Sequence, residues 1–154
     1  MAIFLVRHAH AGSRSRWEGD DSLRPLSAKG RRQAEGLLEL LTDDATGPLY
    51  SSPSRRCTET LKPLAERTGR SIEIVEELDE GNTGVDAERF LLEHADENPV
   101  ACSHGDVIPR ILQRLHAAGM RSDDDIYPSK GSLWVLDVSP RGTVVRGTYH
   151  PPAD

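Results

Sequence analysis

The apolar residues of this chain follow two rhythms that alternate along it. Ile3, Phe4, Leu5 and Val6 form an unbroken run, as do Val100, Ala101 and Cys102, and Leu49, Tyr50 and Ser51 make a shorter segment between them. Unbroken runs of this length predict strands buried on both faces, the pattern of central strands in a parallel sheet. Between the runs the spacing becomes helical. Ala34, Leu37, Leu38 and Leu41 recur at i, i+3, i+4 and i+7 behind Ser27, a residue type that caps helices. Cys57, Leu61, Leu64 and Ala65 share one face of a helix expected to start at Pro53 and stop at Gly69. Ile72, Ile74 and Leu78 predict a third strand, running into a Gly-containing loop over residues 80–84. Asp86 is placed as the cap of a helix through Phe90 and Leu91 that ends near Asn98 and Pro99. Ile108, Ile111, Leu112 and Leu115 predict a further helix, stopped near Gly119.

The last third changes character. Leu133 to Val138 and residues 143–145 flank Ser139, Pro140, Arg141 and Gly142, which predicts an antiparallel pair around a turn. The expected fold class is therefore α/β: a three-layer α/β/α sandwich with a mostly parallel central sheet and a C-terminal antiparallel strand pair. With no internal repeat, low-complexity tract or linker, residues 1–154 read as a single domain, long enough to bury a core without staples.

Composition narrows the partners. A net charge of -6 argues against general nucleic-acid or membrane-surface binding, yet a local arginine cluster still suits an anionic substrate. No N-terminal signal segment or membrane-spanning apolar stretch is evident, so a cytoplasmic protein is expected. Cys57 and Cys102 each sit on an apolar face and read as two free buried thiols rather than a disulfide.

The candidate chemistry lies where the predicted strands end. Arg7 and His8 follow the first apolar run; Ser51, Ser52 and Pro53 lead to Arg55 and Arg56; His104 follows Val100, Ala101, Cys102 and Ser103. Open α/β sheets place their ligand crevices at the carboxyl ends of the strands, and parallel topology brings these three ends to one edge. A guanidinium fork beside an imidazole that serves as base or nucleophile near neutral pH suits a phosphate. The first turn of the helix carrying Arg55 and Arg56 also offers backbone N–H groups to an anion. The loop over residues 11–26, rich in Gly, Ser, Arg and Asp, is long enough to expect a function.

In these motifs the chain resembles the histidine phosphatase superfamily, which includes the cofactor-dependent phosphoglycerate mutases. The arginine–histidine pair stands at Arg7 and His8, the second arginine motif runs from Ser51, Ser52 and Pro53 through Arg56 to Thr60, and the second histidine is His104 before Gly105. The short length and the run from Asp21 through Arg24, Pro25, Leu26 and Ser27 to Gly30 resemble the small SixA-type phosphohistidine phosphatases. The loop around Glu18, Gly19, Asp20 and Asp21 also resembles the phosphatase domain fused to some actinobacterial Nudix hydrolases; this chain has no Nudix box, so it corresponds only to that second half.

The resemblance implies a mechanism. His8 attacks phosphorus and becomes phosphohistidine, which water then hydrolyses. Arg7 and Arg56 hold the phosphoryl oxygens, and His104 donates to them. No metal or other cofactor is called for, because the arginines supply the positive charge. Arg24 lies in the SixA-like motif and is a candidate substrate contact. Glu80, in the pattern Leu78, Asp79, Glu80, matches the glutamate of larger relatives and is the candidate proton donor; its bland alternative is a solvated loop carboxylate like Glu73, Glu76 and Glu77. Ala9 stands where relatives carry glycine, and Ser13 and Arg14 stand where many carry a phosphate-contacting asparagine. The helical insertion of larger relatives is missing, which implies an open groove suited to a protein-borne phosphohistidine, a small phosphorylated metabolite or a nucleotide.

Other readings of the same residues compete. His8 and His10 form an H-x-H that, with His104 and Asp106, resembles a metal site, although Arg7 beside the cation would be repelled. Cysteine phosphatase chemistry lacks a suitably close arginine after Cys102 or Cys57. Asp123, Asp124 and Asp125 lack a preceding strand and read as a solvated turn rather than an aspartyl nucleophile, while His94, His116 and His150 read as helix-surface or tail residues. A phosphoprotein-binding module with a slow or degenerate site is the alternative to an enzyme.

Overall fold

Strand β1 (Ala2–Arg7) is paired on both sides, parallel to β4 (Val100–Ser103) and antiparallel to β5 (Leu133–Val138). That double pairing is what its unbroken apolar run anticipates, because side chains on both faces must then be covered. In the computed structural model, which describes residues 1–41, 43, 45–122 and 127–153, alternate residues of β1 enter two different cores. Phe4 and Val6 pack with Leu37, Leu41, Leu61 and Leu64 of helices α1 (Ala28–Leu41) and α2 (Arg55–Thr68). Ile3 and Leu5 pack with Leu91, Ile108, Ile111 and Leu112 of α3 (Val85–Glu93) and α4 (Val107–Ala117). The sheet is thus the middle of three layers.

The six strands lie in the order β3-β2-β4-β1-β5-β6, with β2 at Leu49–Ser51, β3 at Ile72–Ile74 and β6 at Val144–His150. The first four in that order run parallel, and β5 is antiparallel to both β1 and β6. The expected α/β class, mostly parallel sheet and C-terminal antiparallel pair are all observed. Among the described residues, no helix is long and apolar enough to cross a membrane.

Several element ends differ from the sequence expectation, each for a local reason. Leu78 is not in β3: the strand ends at Ile74, and the Leu78 and Asp79 amides turn back to Val75 and Glu76 to close a 3₁₀ turn over Glu76–Leu78. Helix α2 starts at Arg55 rather than Pro53, because Ser54 supplies the cap carbonyl to the Cys57 and Thr58 amides. Gly84, with φ +91°, precedes α3, so Asp86 sits in the first turn and pairs with Arg89 instead of capping. The second strand of the terminal pair is much longer than residues 143–145 and includes His150, which therefore lies in the sheet and not in a tail. Asp123, Asp124 and Asp125 lie outside the described residues.

Helix α1 fixes the loop that leaves β1. The Gly30 amide donates to Ser27 Oγ, and the Ser27 amide donates to the His10 carbonyl. Gly30 is required at this crossing, since a Cβ there would lie 1.9 Å from the His10 carbonyl oxygen.

Candidate active site

The end of β1 presents His8 in a defined protonation state. The ring is 6% exposed, and Nδ1 lies 2.9 Å from the Ala9 carbonyl oxygen, an acceptor only, so Nδ1 carries the hydrogen and Nε2 the lone pair. Burial pushes the His8 pKa down to about 3, with the neighbouring His104, Arg56 and Arg7 adding to the effect against the pull of the Ala9 carbonyl. The imidazole is consequently neutral at pH 7. Ala9, in place of the family's glycine, is accommodated: it is buried, and its amide donates to Thr60 Oγ1 of α2.

β4 and β2 bring His104 and Arg56 to the same edge. His104 is 1% exposed, and its ring centroid is 5.3 Å from that of His8. Its Nε2 lies 2.8 Å from Ser52 Oγ, and Asp79 Oδ1 lies 3.3 Å from the same hydroxyl, whose single hydrogen serves one of the two. The other ring nitrogen, Nδ1, is buried without a partner among the described residues. Arg56, also 1% exposed, donates from Nη1 to the Asp21 carbonyl and from Nη2 to Glu80 Oε2 at 3.1 Å. Asp21 Oδ2 lies 3.3 Å from the same Nη2. A buried guanidinium needs such counter-charges, because an unpaired buried cation is strongly unfavourable.

Arg7 is held differently. Its Nη1 donates to the Pro128 carbonyl at 2.7 Å, its guanidinium lies 5.7 Å from the Tyr127 ring centre, and Nε has no partner among the described residues. Gly105 permits this arrangement: a Cβ there would fall 2.5 Å from Arg7 Cζ.

Arg7, His8 and His104 line a cleft of about 340 Å³ that also takes in Arg14, Arg24 and Glu80. Glu80 is shared, bonding Arg14 as well as Arg56. Arg24 is buried and reaches Asp21 Oδ1 from Nε and the Ala11 carbonyl from Nη1. Burial works to raise the Asp21 carboxyl, but Arg24, Arg56 and Arg14 outweigh it and hold it below its ordinary range. The structure thus brings Arg7, His8, Arg14, Arg24, Arg56, Glu80 and His104 together. Ser13 is exposed, with its hydroxyl 2.9 Å from that of Ser15, and is not among the cleft residues. His10 turns its Nδ1 to Ser27 Oγ at 2.7 Å, and Asp106 joins the cleft wall. Both cysteines are free and buried, Cys57 Sγ lying 3.5 Å from His104 Nε2.

The sequence reading missed Ser52, Asp21, Tyr127 and Lys130 as parts of this site. Tyr127 and Lys130 precede β5, and an antiparallel strand starts, rather than ends, at the edge where its parallel neighbours end; Val6 pairs with Leu133. The signal was available in Lys130, Gly131 and Ser132 standing directly before an apolar run.

Comparison with known proteins decides the family. The model of the Histidine phosphatase superfamily (branch 1) matches residues 3–93, a span holding Arg7, His8 and Arg56. The chain belongs to the histidine phosphatase superfamily. This superfamily member is 37% identical over 157 residues to the 8-oxo-(d)GTP phosphatase of Mycolicibacterium smegmatis, an alignment covering 99% of this chain and 48% of that protein. The chain thus spans about half the length of that curated relative. Solved structures sharing the superfamily fold include the protein histidine phosphatase SixA complexed with tungstate, at 18% identity and a TM-score of 0.74, covering 100% of this chain and 97% of the other. A mycobacterial glucosyl-3-phosphoglycerate phosphatase matches at 17% identity and a TM-score of 0.72, covering 97% of each chain. At these identities the structural likeness is one of fold.

Proposed function

We propose that residues 1–154 form one phosphatase domain that hydrolyses phosphoric esters or phosphoramidates through a phosphohistidine at His8. The observation that carries this reading is the buried, neutral His8 ring, its Nδ1 tied to Ala9 and its Nε2 lone pair left in a cleft lined by guanidinium groups. Nε2 attacks phosphorus, the bond to the leaving group breaks, and water then attacks the phosphohistidine to release phosphate and restore His8. Arg7 and Arg56 hold the phosphoryl oxygens, and His104 donates to one of them from the unpartnered Nδ1. Glu80, paired as a carboxylate with Arg56 and Arg14, must first take up a proton; in that form it supplies the proton to an alkoxide leaving group, and it recovers one from the water that attacks the phosphohistidine. Arg24 and Arg14 keep Asp21 and Glu80 in place around Arg56.

The substrate is a phosphorylated small molecule, a nucleotide or a phosphohistidine protein; the relative named for 8-oxo-(d)GTP supports the nucleotide class. Phosphate release from p-nitrophenyl phosphate tests the reading. We expect turnover that survives EDTA, almost complete loss in His8→Ala, and an acid-labile, base-stable phosphoryl label on the wild type alone. Tight phosphate binding with no turnover would establish a binding module instead. A panel of nucleotides, sugar phosphates, phosphoglycerates and phosphohistidine protein then ranks the substrates.

A further inference from the structure

Lys130 stands in the cleft without a counter-charge among the described residues. It lines the wall formed by the residues leading into β5, beside His8 and Arg7. Its place there is fixed by Gly131, whose amide lies 3.2 Å from the Arg7 carbonyl oxygen and 3.1 Å from that of His8. Three of the four guanidinium groups around it are already engaged by carboxylates. Arg24 and Arg56 share Asp21, and Arg14 is bound to Glu80. Lys130 makes no hydrogen bond or ion pair with any of the described residues. Burial, followed by Arg7, Arg24, Arg14 and Arg56, pushes its pKa below the ordinary lysine range. An ammonium set among four guanidinium groups, with no carboxylate of its own among the described residues, is unfavourable until an anion arrives.

One transferred phosphoryl group does not account for this charge. Arg7, Arg56 and His104 already supply its donors on the proposed mechanism. We propose that Lys130 anchors a second anion subsite, so that the portion of the substrate that leaves carries its own anionic group, a phosphate or a carboxylate. This inference rests on the phosphatase reading of the same cleft and narrows its substrate class. Phosphoanhydrides and phosphorylated acids satisfy Lys130. A neutral leaving group such as the imidazole of a phosphohistidine leaves the ammonium unmatched.

Phosphonates test the subsite without turnover, because their P–C bonds are not hydrolysed. Calorimetric titration of the wild type, Lys130→Met and Lys130→Arg with methylphosphonate, methylenediphosphonate and phosphonoacetate separates one anion from two. The wild type is expected to bind at least one two-anion compound about tenfold more tightly than methylphosphonate, in keeping with one charge-assisted contact. Lys130→Met should erase that preference and Lys130→Arg should keep it. Preference for methylenediphosphonate assigns a second phosphate, and preference for phosphonoacetate assigns a carboxylate. No preference in the wild type overturns the proposal, as does equal weakening of all three ligands, which would place Lys130 on the transferred phosphoryl group. Turnover of p-nitrophenyl phosphate is scored separately, so loss of the phosphatase reading and loss of the second subsite give different results.

Discussion

Arg56 Nη2 lies 3.1 Å from Glu80 Oε2, so a guanidinium only 1% exposed, behind the cleft, is held by a carboxylate of the cleft wall. If Arg56 holds the phosphoryl group as proposed, that group and Glu80 compete for one donor. On the proposed mechanism, binding of the dianion is expected to displace the carboxylate toward the leaving group.

Glu80→Gln separates these two effects. Removing the competing charge should tighten inorganic phosphate binding, while loss of the proton donor should slow alkyl phosphate hydrolysis by about 10²- to 10⁴-fold. An aryl phosphate with a good leaving group should be much less affected. Parallel steady-state assays and phosphate inhibition constants check both; identical rates for mutant and wild type on alkyl and aryl substrates would remove Glu80 from the chemistry.

Buried, neutral His8 also ties stability to pH. Its folded pKa of about 3 lies below the ordinary value of 6.5, so the unfolded chain binds the extra proton between those limits. The contribution is complete above pH 6.5 and is lost as pH falls toward 3. The urea midpoint of the wild type should therefore fall more steeply over this window than that of His8→Asn. Parallel curves for the two proteins would contradict the buried neutral state.

Two glycines make opposite predictions from the same kind of crowding. A Cβ on Gly105 meets the far end of the Arg7 side chain, which can swing away, so Gly105→Ala should lower activity by about 10- to 10²-fold with little change in Tm. A Cβ on Gly30 meets the His10 backbone, which cannot, so Gly30→Ala should destabilise the protein by about 1–3 kcal/mol. Thermal melts beside activity assays distinguish them.

Ser52 orients His104 through its 2.8 Å contact with Nε2. Ser52→Ala should raise KM more than it lowers kcat, because His104 then loses its fixed ring orientation. Ser52→Thr, which keeps a hydroxyl, should restore much of the loss. A kcat-only defect, or no rescue, would place the serine's role elsewhere.

The layers and the strand ends were legible because they depend on periodicity. Four parallel strands read as apolar segments, and parallel topology alone brings Arg7, Arg56 and His104 to one edge. The 3₁₀ turn at Leu78 was not legible, since a buried leucine after Ile72 and Ile74 fits a strand equally well until the turn hydrogen bonds are seen. The sharing of Asp21 among Arg14, Arg24 and Arg56 was hidden for a different reason. It depends on how one long loop folds over α2, and spacing along a loop carries no direction. Lys130 escaped because charged residues before a strand usually read as a solvated turn.

Arg7 reaches across 121 positions to the Pro128 carbonyl, in the segment that leads β5 onto the free edge of β1. During synthesis the strand that carries His8 thus emerges well before the segment that walls its cleft. Contacts of such high sequence separation slow folding, because the cost of closing the loop falls before the contact is gained. Any activity is accordingly a report on completed folding: a nascent chain short of β5 holds His8 but has neither the wall beside it nor a covered β1 edge.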